Sequence, residues 1–133
     1  MRVLVDSDAL FAAFSALDPN YERAVSTFRL LRLEGVKFLV LKLVLFEVVT
    51  VISHRLGQQK AVEFVDKMGS INLEQIDFES KLEKLSWILF CRQTKKGTSF
   101  IDCANVVAVK ELKLDGILSF DKFYRQAGVK VVV

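Results

Sequence analysis

The run Val3-Leu4-Val5, which closes on Asp6, constrains the fold more than any other feature of this chain. A strand with no polar side chain on either face has to be covered on both faces, and that is the condition of a parallel sheet packed between helices. Comparable runs recur at Lys37 to Val40, at Gly116-Ile117-Leu118 before Ser119, and at Val129 to Val133, with a shorter candidate at Ile71, Leu73 and Ile76.

Between these runs the apolar residues return at helical intervals. Ser7 and Asp8 are good N-caps for Ala9 to Phe14, so the first strand turns directly into a helix. Tyr21, Ala24, Val25, Phe28 and Leu31 mark an amphipathic helix ending near Gly35. Leu43 to Leu56, closed by Gly57, reads as a largely buried helix, and Gln58 to Met68 as another stopped by Gly69. Phe78, Leu82, Leu85 and Leu89 predict a long helix from Asp77 to about Gln93. Arg92 to Gly97 is a polar, basic loop, after which Thr98 and Ser99 can cap a helix from Phe100 to Leu112. Phe123 and Tyr124 fall on a short helical or looped stretch. Strands alternating with helices give an α/β fold with a mainly parallel sheet and right-handed crossovers.

The 133 residues hold no repeat, low-complexity tract or linker, which predicts one domain over 1–133. With 52% hydrophobic and 26% charged residues and a single proline, the composition excludes disorder and collagen-like architecture. The net charge of +3 is too small to argue by itself for a nucleic-acid partner. Phe38 to Ile52 is too short for a spanning helix, which needs about 20 residues, and it carries Lys42 and Glu47, so no membrane role is expected. Cys91 and Cys103, with no secretory leader, read as buried thiols of a reducing compartment, and the expected location is cytoplasmic.

Four acids have apolar neighbours: Asp6, Glu47 in Leu45-Phe46-Glu47-Val48-Val49, Asp102 in Phe100-Ile101-Asp102-Cys103-Ala104, and Asp121 after Leu118-Ser119-Phe120. A desolvated carboxylate without a partner loses several kcal/mol, so each must reach water, a cation or donors. Asp6 and Asp121 follow strands, and ligands of open α/β sheets gather beyond the carboxyl ends of strands. If the helical pair, Glu47 and Asp102, faces the same crevice, mutual repulsion favours a divalent cation. Mg²⁺ or Mn²⁺ suits an all-oxygen set, whereas zinc does not suit a chain with one histidine, His54, and two widely separated cysteines. Each acid also has an ordinary structural alternative: Asp6 or Asp8 as a cap, Glu47 paired with Lys42, Asp102 favoured by a helix dipole, Asp121 in a turn. The case rests on the set.

The ordered pattern Val5-Asp6-Ser7-Asp8, Phe46-Glu47-Val48, Ser99-Phe100-Ile101-Asp102-Cys103-Ala104 and Ser119-Phe120-Asp121-Lys122, with Tyr124 and Gly128-Val129, resembles PIN-domain proteins, particularly VapC-like toxins of toxin–antitoxin pairs. The match spans nearly the whole chain. It implies a three-layer α/β/α sandwich, a single PIN-like domain over 1–133, and a metal-dependent endoribonuclease that uses Mg²⁺ or Mn²⁺. Asp6, Glu47, Asp102 and Asp121 correspond to the family's acids, and Ser7, Ser99 and Ser119 to supporting residues. Asp8 stays outside the ligand set because the family varies there.

A bound metal can acidify a water, orient it and stabilise the oxygens of a phosphodiester. On this reading Asp6 and Asp102 bind it directly, while Glu47 and Asp121 complete the site or orient the water. Arg92, Lys95 and Lys96 precede the Asp102 helix, and Lys122 and Arg125 follow Asp121, so they are the candidates for contacting RNA; an ordinary solvated face is the equal alternative. Tyr124 reads as core rather than as a stacking residue, and His54 as a surface or packing residue. The resemblance further implies a homodimer and a cognate antitoxin that blocks the site, often with a basic side chain. Two rival readings are a haloacid-dehalogenase-like phosphatase, suggested by Asp6 and Asp8 two apart after a strand, and a non-catalytic PIN-like module that binds RNA or protein.

Overall fold

Runs without a polar side chain are stable only where both faces of a strand are covered, and the middle of the sheet is where this chain puts them. In the computed structural model, which describes all 133 residues, the order is β1 (Arg2–Val5), α1 (Ser7–Phe14), α2 (Tyr21–Leu33), β2 (Lys37–Leu41), α3 (Lys42–Leu56), α4 (Gln58–Ser70), β3 (Leu73–Ile76), α5 (Ser80–Cys91), α6 (Phe100–Glu111), β4 (Gly116–Leu118) and α7 (Phe123–Gln126). The strands are all parallel and lie in the order β3-β2-β1-β4. Val3 pairs with Phe38 on one side and with Gly116 on the other, so β1 is central. Val3, Leu4, Val5, Leu39, Val40, Leu41, Ile117 and Leu118 are at most 1% exposed.

This strand order dictates the layers. The connections β1 to β2 and β2 to β3 step in one direction, whereas β3 to β4 steps back across the sheet to the far side of β1. Right-handed crossovers then place α1 to α4 on one face and α5 and α6 on the other, which is the three-layer α/β/α sandwich. The packing agrees: α1 lies against α2 and α3, α3 against α4, and α5 against α6. Phe14 meets Phe64 edge-on in the first layer, and Phe78, Trp87 and Phe90 gather around Phe100 in the second. The strand order reverses between β1 and β4, so the crevice beyond their carboxyl ends is the place for a ligand.

Several boundaries depart from the sequence reading. Only Val44, Val48 and Ile52, one stripe of α3, are fully buried, and Phe46 is 64% exposed, because α3 covers the sheet with one face only. Gly57, at φ 96°, stops α3 as expected; α4 runs through Gly69 to Ser70, because Gly69 does not take a positive φ. α5 starts at Ser80 rather than Asp77, since Asp77 pairs with Lys42 at 2.6 Å. That ion pair also removes Lys42 as a partner for Glu47. The closing run Val129 to Val133 forms a single parallel bridge, Ile117 to Val131, and not a strand. There it presses on Gly116, where an added Cβ would lie 2.6 Å from the Lys130 carbonyl oxygen. Cys103 is buried as expected, but Cys91 is exposed, and both thiols are free. No helix is long and apolar enough to cross a membrane.

Candidate active site

Asp6 is held in place by the sheet itself. Its N–H donates to the Leu118 carbonyl at 3.0 Å, which extends the β1–β4 pairing by one residue beyond β1. Its side chain caps α1, accepting from the Ser7 N–H at 2.8 Å, so the cap is Asp6 rather than Ser7 or Asp8. The same carboxylate accepts from Asn105 Nδ2 at 3.0 Å and from the Ser119 hydroxyl at 2.9 Å, and it is 3% exposed. Burial, followed by the charge of Asp8, pushes its pKa from the ordinary 3.8 to about 7, against the pull of the Ser7 and Ser119 donors.

Asp8, released from capping, turns toward β4. It accepts from the Phe120 N–H at 2.9 Å and lies 3.2 Å from the Ser119 hydroxyl, while its other oxygen is buried without a partner. Ser119 is fully buried between the two acids and accepts from the Asp121 N–H at 3.0 Å. A hydroxyl has one proton, so Ser119 can donate to only one of the two carboxylates at a time. The other contact needs a proton on a carboxyl or a cation nearby. Burial raises the Asp8 pKa, and the charge of Asp121 adds to it.

The start of α6, reached from α5 through the basic loop, contributes Asp102. Ser99 and Asp102 form a reciprocal capping box at the start of α6, with the Ser99 hydroxyl accepting from the Asp102 N–H at 3.0 Å. The next seven residues, Cys103 to Val109, are all buried, so α6 is enclosed on every side past its first turn. Asn105, in that enclosed stretch, donates from Nδ2 both to Asp6 and to the Tyr124 hydroxyl at 3.1 Å, and Tyr124 in turn donates to Asp102 at 3.3 Å. Burial drives the Tyr124 phenol upward, which keeps it a donor.

Glu47, half-buried on α3, faces this group from the first helical layer. Burial raises its pKa, followed by the charge of Asp102, with the Ser7 hydroxyl acting in opposition; its Oε2 is buried and unpaired. Asp102 is raised by burial and by the charge of Asp121, against the Ser99 donors. Asp121 stands at the exposed mouth, accepting from the Phe123 N–H at 2.9 Å. The acids thus feel one another's charge in a chain, Asp6 with Asp8, Asp8 with Asp121, Asp121 with Asp102 and Asp102 with Glu47, so that Asp8, which the sequence alone leaves outside the ligand set, links Asp6 to the rest.

Ser7 and Ser119 lie inside this group, and exposed Ser99 supports it by capping. Asn105 is a site residue that the sequence does not single out, and Tyr124, noted there only within the family pattern and as core, is a second. An asparagine within Ala104-Asn105-Val106-Val107 is the signal that points to the first; Tyr124 is core, as expected, but its hydroxyl lies between acids.

None of the five acids pairs with a lysine or arginine; the ion pairs are Lys42–Asp77, Lys60–Glu63 and Lys81–Glu111. As the side chains stand, no group of three or more Asp, Glu, His or Cys residues is arranged to hold a metal ion. The donor set nevertheless fits Mg²⁺, which takes one or two carboxylates and keeps its waters. Buried unpaired oxygens on Asp8 and Glu47, in acids whose pKa values are both raised, are what such an ion would satisfy.

Arg92, Lys95, Lys96, Lys122 and Arg125 are all exposed. Lys95 donates to Gln126 at 2.8 Å, which ties the basic loop to α7, the helix that carries Arg125. Arg23, inconspicuous in the sequence, lies over the Phe120 ring at 5.1 Å. His54 is exposed on α3, as expected.

No protein-family model matches the chain, and neither does any curated protein. Among solved structures, it is similar to VapC20 of Mycobacterium tuberculosis, a toxin that cleaves the sarcin-ricin loop, with 20% identity, a TM-score of 0.84 and 96% of each chain covered. It is also similar to VapBC2 from Rickettsia felis, in a structure bound to a DNA fragment from their promoter, with 18% identity, a TM-score of 0.73, and 98% of this chain and 97% of that chain covered. The strand order, the two helical layers and these two likenesses together show that the chain has the PIN-like α/β/α fold of the VapC structures.

Proposed function

We propose that the protein is a metal-dependent endoribonuclease, one PIN-like domain over residues 1–133, acting in the cytoplasm as the toxin of a toxin–antitoxin pair. The observation that carries this reading is the gathering of Asp6, Asp8, Glu47, Asp102 and Asp121 at the switch point between β1 and β4 without a single paired cation. A structural cluster of acids would be expected to recruit lysine or arginine; one kept for Mg²⁺ or Mn²⁺ would not. The fold shared with a toxin that cleaves the sarcin-ricin loop supports RNA as the substrate class, and the VapBC2 likeness supports an antitoxin partner.

Asp6 and Asp102 are the residues that would hold the ion, with Asp8, joined to Asp6 through Ser119, and Glu47 offering their unpaired oxygens toward it. When bound, the ion supplies positive charge for the scissile phosphate and lowers the pKa of water. Glu47, half-buried with a raised pKa and one unpaired oxygen, would complete the site or accept a proton from the water. Asp121, exposed at the mouth, would orient that water or complete the site. Arg92, Lys95, Lys96, Lys122 and Arg125, all exposed, would offer positive charge to the phosphates of RNA crossing the mouth. A homodimer fits the apolar side chains left on the surface, among them Phe46 and Trp87.

The test is cleavage of RNA by the purified protein with Mg²⁺ or Mn²⁺ and in excess chelator. Cleavage should require the metal and disappear in Asp6→Asn and Asp102→Asn while both variants stay folded. Cleavage that persists in chelator overturns the metal mechanism, and a phosphorylated Asp6 would favour a phosphatase instead.

A further inference from the structure

From the bridge that crosses the site we infer that Asn105 and Tyr124 are positioning residues, which fix the carboxylates of Asp6 and Asp102 for a shared divalent cation. The inference rests on the metal-dependent reading above. It starts from a misfit: Asn105 is fully buried, on a helix enclosed by apolar residues, and its Oδ1 has no partner. Left unpaired, a buried acceptor is costly, and an apolar residue of similar size would avoid that cost. Something else must account for an amide there.

Hydrogen counting supplies it. The Asn105 Nδ2 has two protons, and both are used, one on Asp6 Oδ1 at 3.0 Å and one on Tyr124 Oη at 3.1 Å. Because the phenol oxygen is thereby an acceptor from Asn105, its own proton is free for Asp102 Oδ1, at 3.3 Å. The direction of the bridge follows from these atoms: a donor is delivered to Asp6 at one end and to Asp102 at the other. The bridge thus holds one oxygen of each of two carboxylates on different elements, one after β1 and one in the first turn of α6, while Ser119 and the Ser99 N–H hold the other oxygens; all these donors are neutral, so the charges are left unneutralised. Hydrogen-bonded partners of metal-holding carboxylates fix orientation in this way, and losing one typically lowers metal affinity roughly 10–100-fold.

Mn²⁺ binding to the metal-free protein, followed by titration calorimetry, tests this without any turnover. Tyr124→Phe keeps the ring and removes the bridging oxygen; Asn105→Leu removes the amide from the other end. Each should weaken Mn²⁺ binding by about 10-fold or more, and the Mn²⁺ concentration for half-maximal RNA cleavage should rise in step while the KM for RNA at saturating Mn²⁺ stays unchanged. Ser86→Ala is the control, since this fully buried hydroxyl donates only within its own helix, to Leu82; it should bind Mn²⁺ like the parent. If the parent binds Mn²⁺ and both folded variants bind it equally well, the positioning role is wrong and the metal reading survives. If the parent itself binds no Mn²⁺, both fall.

Discussion

Asp6 makes stability and function pull against each other, and pH is the variable that exposes the conflict. Its carboxyl titrates near 3.8 when exposed and at about 7 in the fold. Between those values the folded protein binds more protons than the unfolded chain, so stability falls as pH rises through that window. Each pKa unit is worth about 1.36 kcal/mol, so a rise of about three units removes about 4 kcal/mol between pH 4 and pH 8. At 3% exposure there is little solvent to screen the effect. Asp8, Glu47 and Asp102 are also raised, so they push in the same direction. Urea unfolding followed by circular dichroism in chelator, at pH 4.5, 5.5, 6.5 and 7.5, measures this directly. With a slope of roughly 2 kcal/mol per molar urea, the midpoint should drop by about 2 M across the series. Asp6→Asn should flatten most of the decline, and it should be more stable than the parent at pH 7.5 though inactive. Adding Mn²⁺ at pH 7.5 should restore parent stability and leave Asp6→Asn unmoved. Stability that is flat or rises with pH, or an equal decline in Asp6→Asn, would refute the argument.

Three further outcomes can be checked. Gly116→Ala forces a Cβ against the Lys130 carbonyl at 2.6 Å and should cost about 1–3 kcal/mol in urea unfolding, since backbone cannot step aside as a side chain can. Ser99→Ala removes half of the capping box of α6 and should cost about 1 kcal/mol, together with a loss of RNA cleavage, because Asp102 loses the anchor on its first turn. Lys122→Ala with Arg125→Ala, placed in an Asp6→Asn background, should weaken RNA binding in fluorescence anisotropy and lower the salt slope by about 0.7 for each phosphate that is no longer neutralised; an unchanged slope would assign those residues to a plain solvated face.

The parts of the molecule legible in the sequence are those governed by local chemistry. Val3-Leu4-Val5 shows its central position because only a doubly covered strand tolerates it, and Asp6 is conspicuous because it ends that run. Ser99 and Asp102 announce the α6 start through their three-residue spacing. What stays hidden depends on docking between distant segments. Asp8 resembles one more cap, and only the approach of β4, which brings Ser119 and the Phe120 N–H to it, shows otherwise. The bridge through Asn105 and Tyr124 depends on how α7 seats against α6, which no periodicity encodes. The final run reads as a strand on composition alone, whereas in the fold it makes one bridge to Ile117 at the edge of the sheet.

The seating of Asp6 on the middle strand also determines how the pocket can come apart. Its amide proton is bonded to Leu118 at the carboxyl end of the β1–β4 ladder, and a buried proton held there exchanges with solvent only when that end of the sheet opens. Asp121, by contrast, is exposed, and its N–H is held by the Ser119 side chain and not by the ladder. The floor of the pocket therefore persists for as long as the sheet does, and adaptation to different occupants is left to its rim.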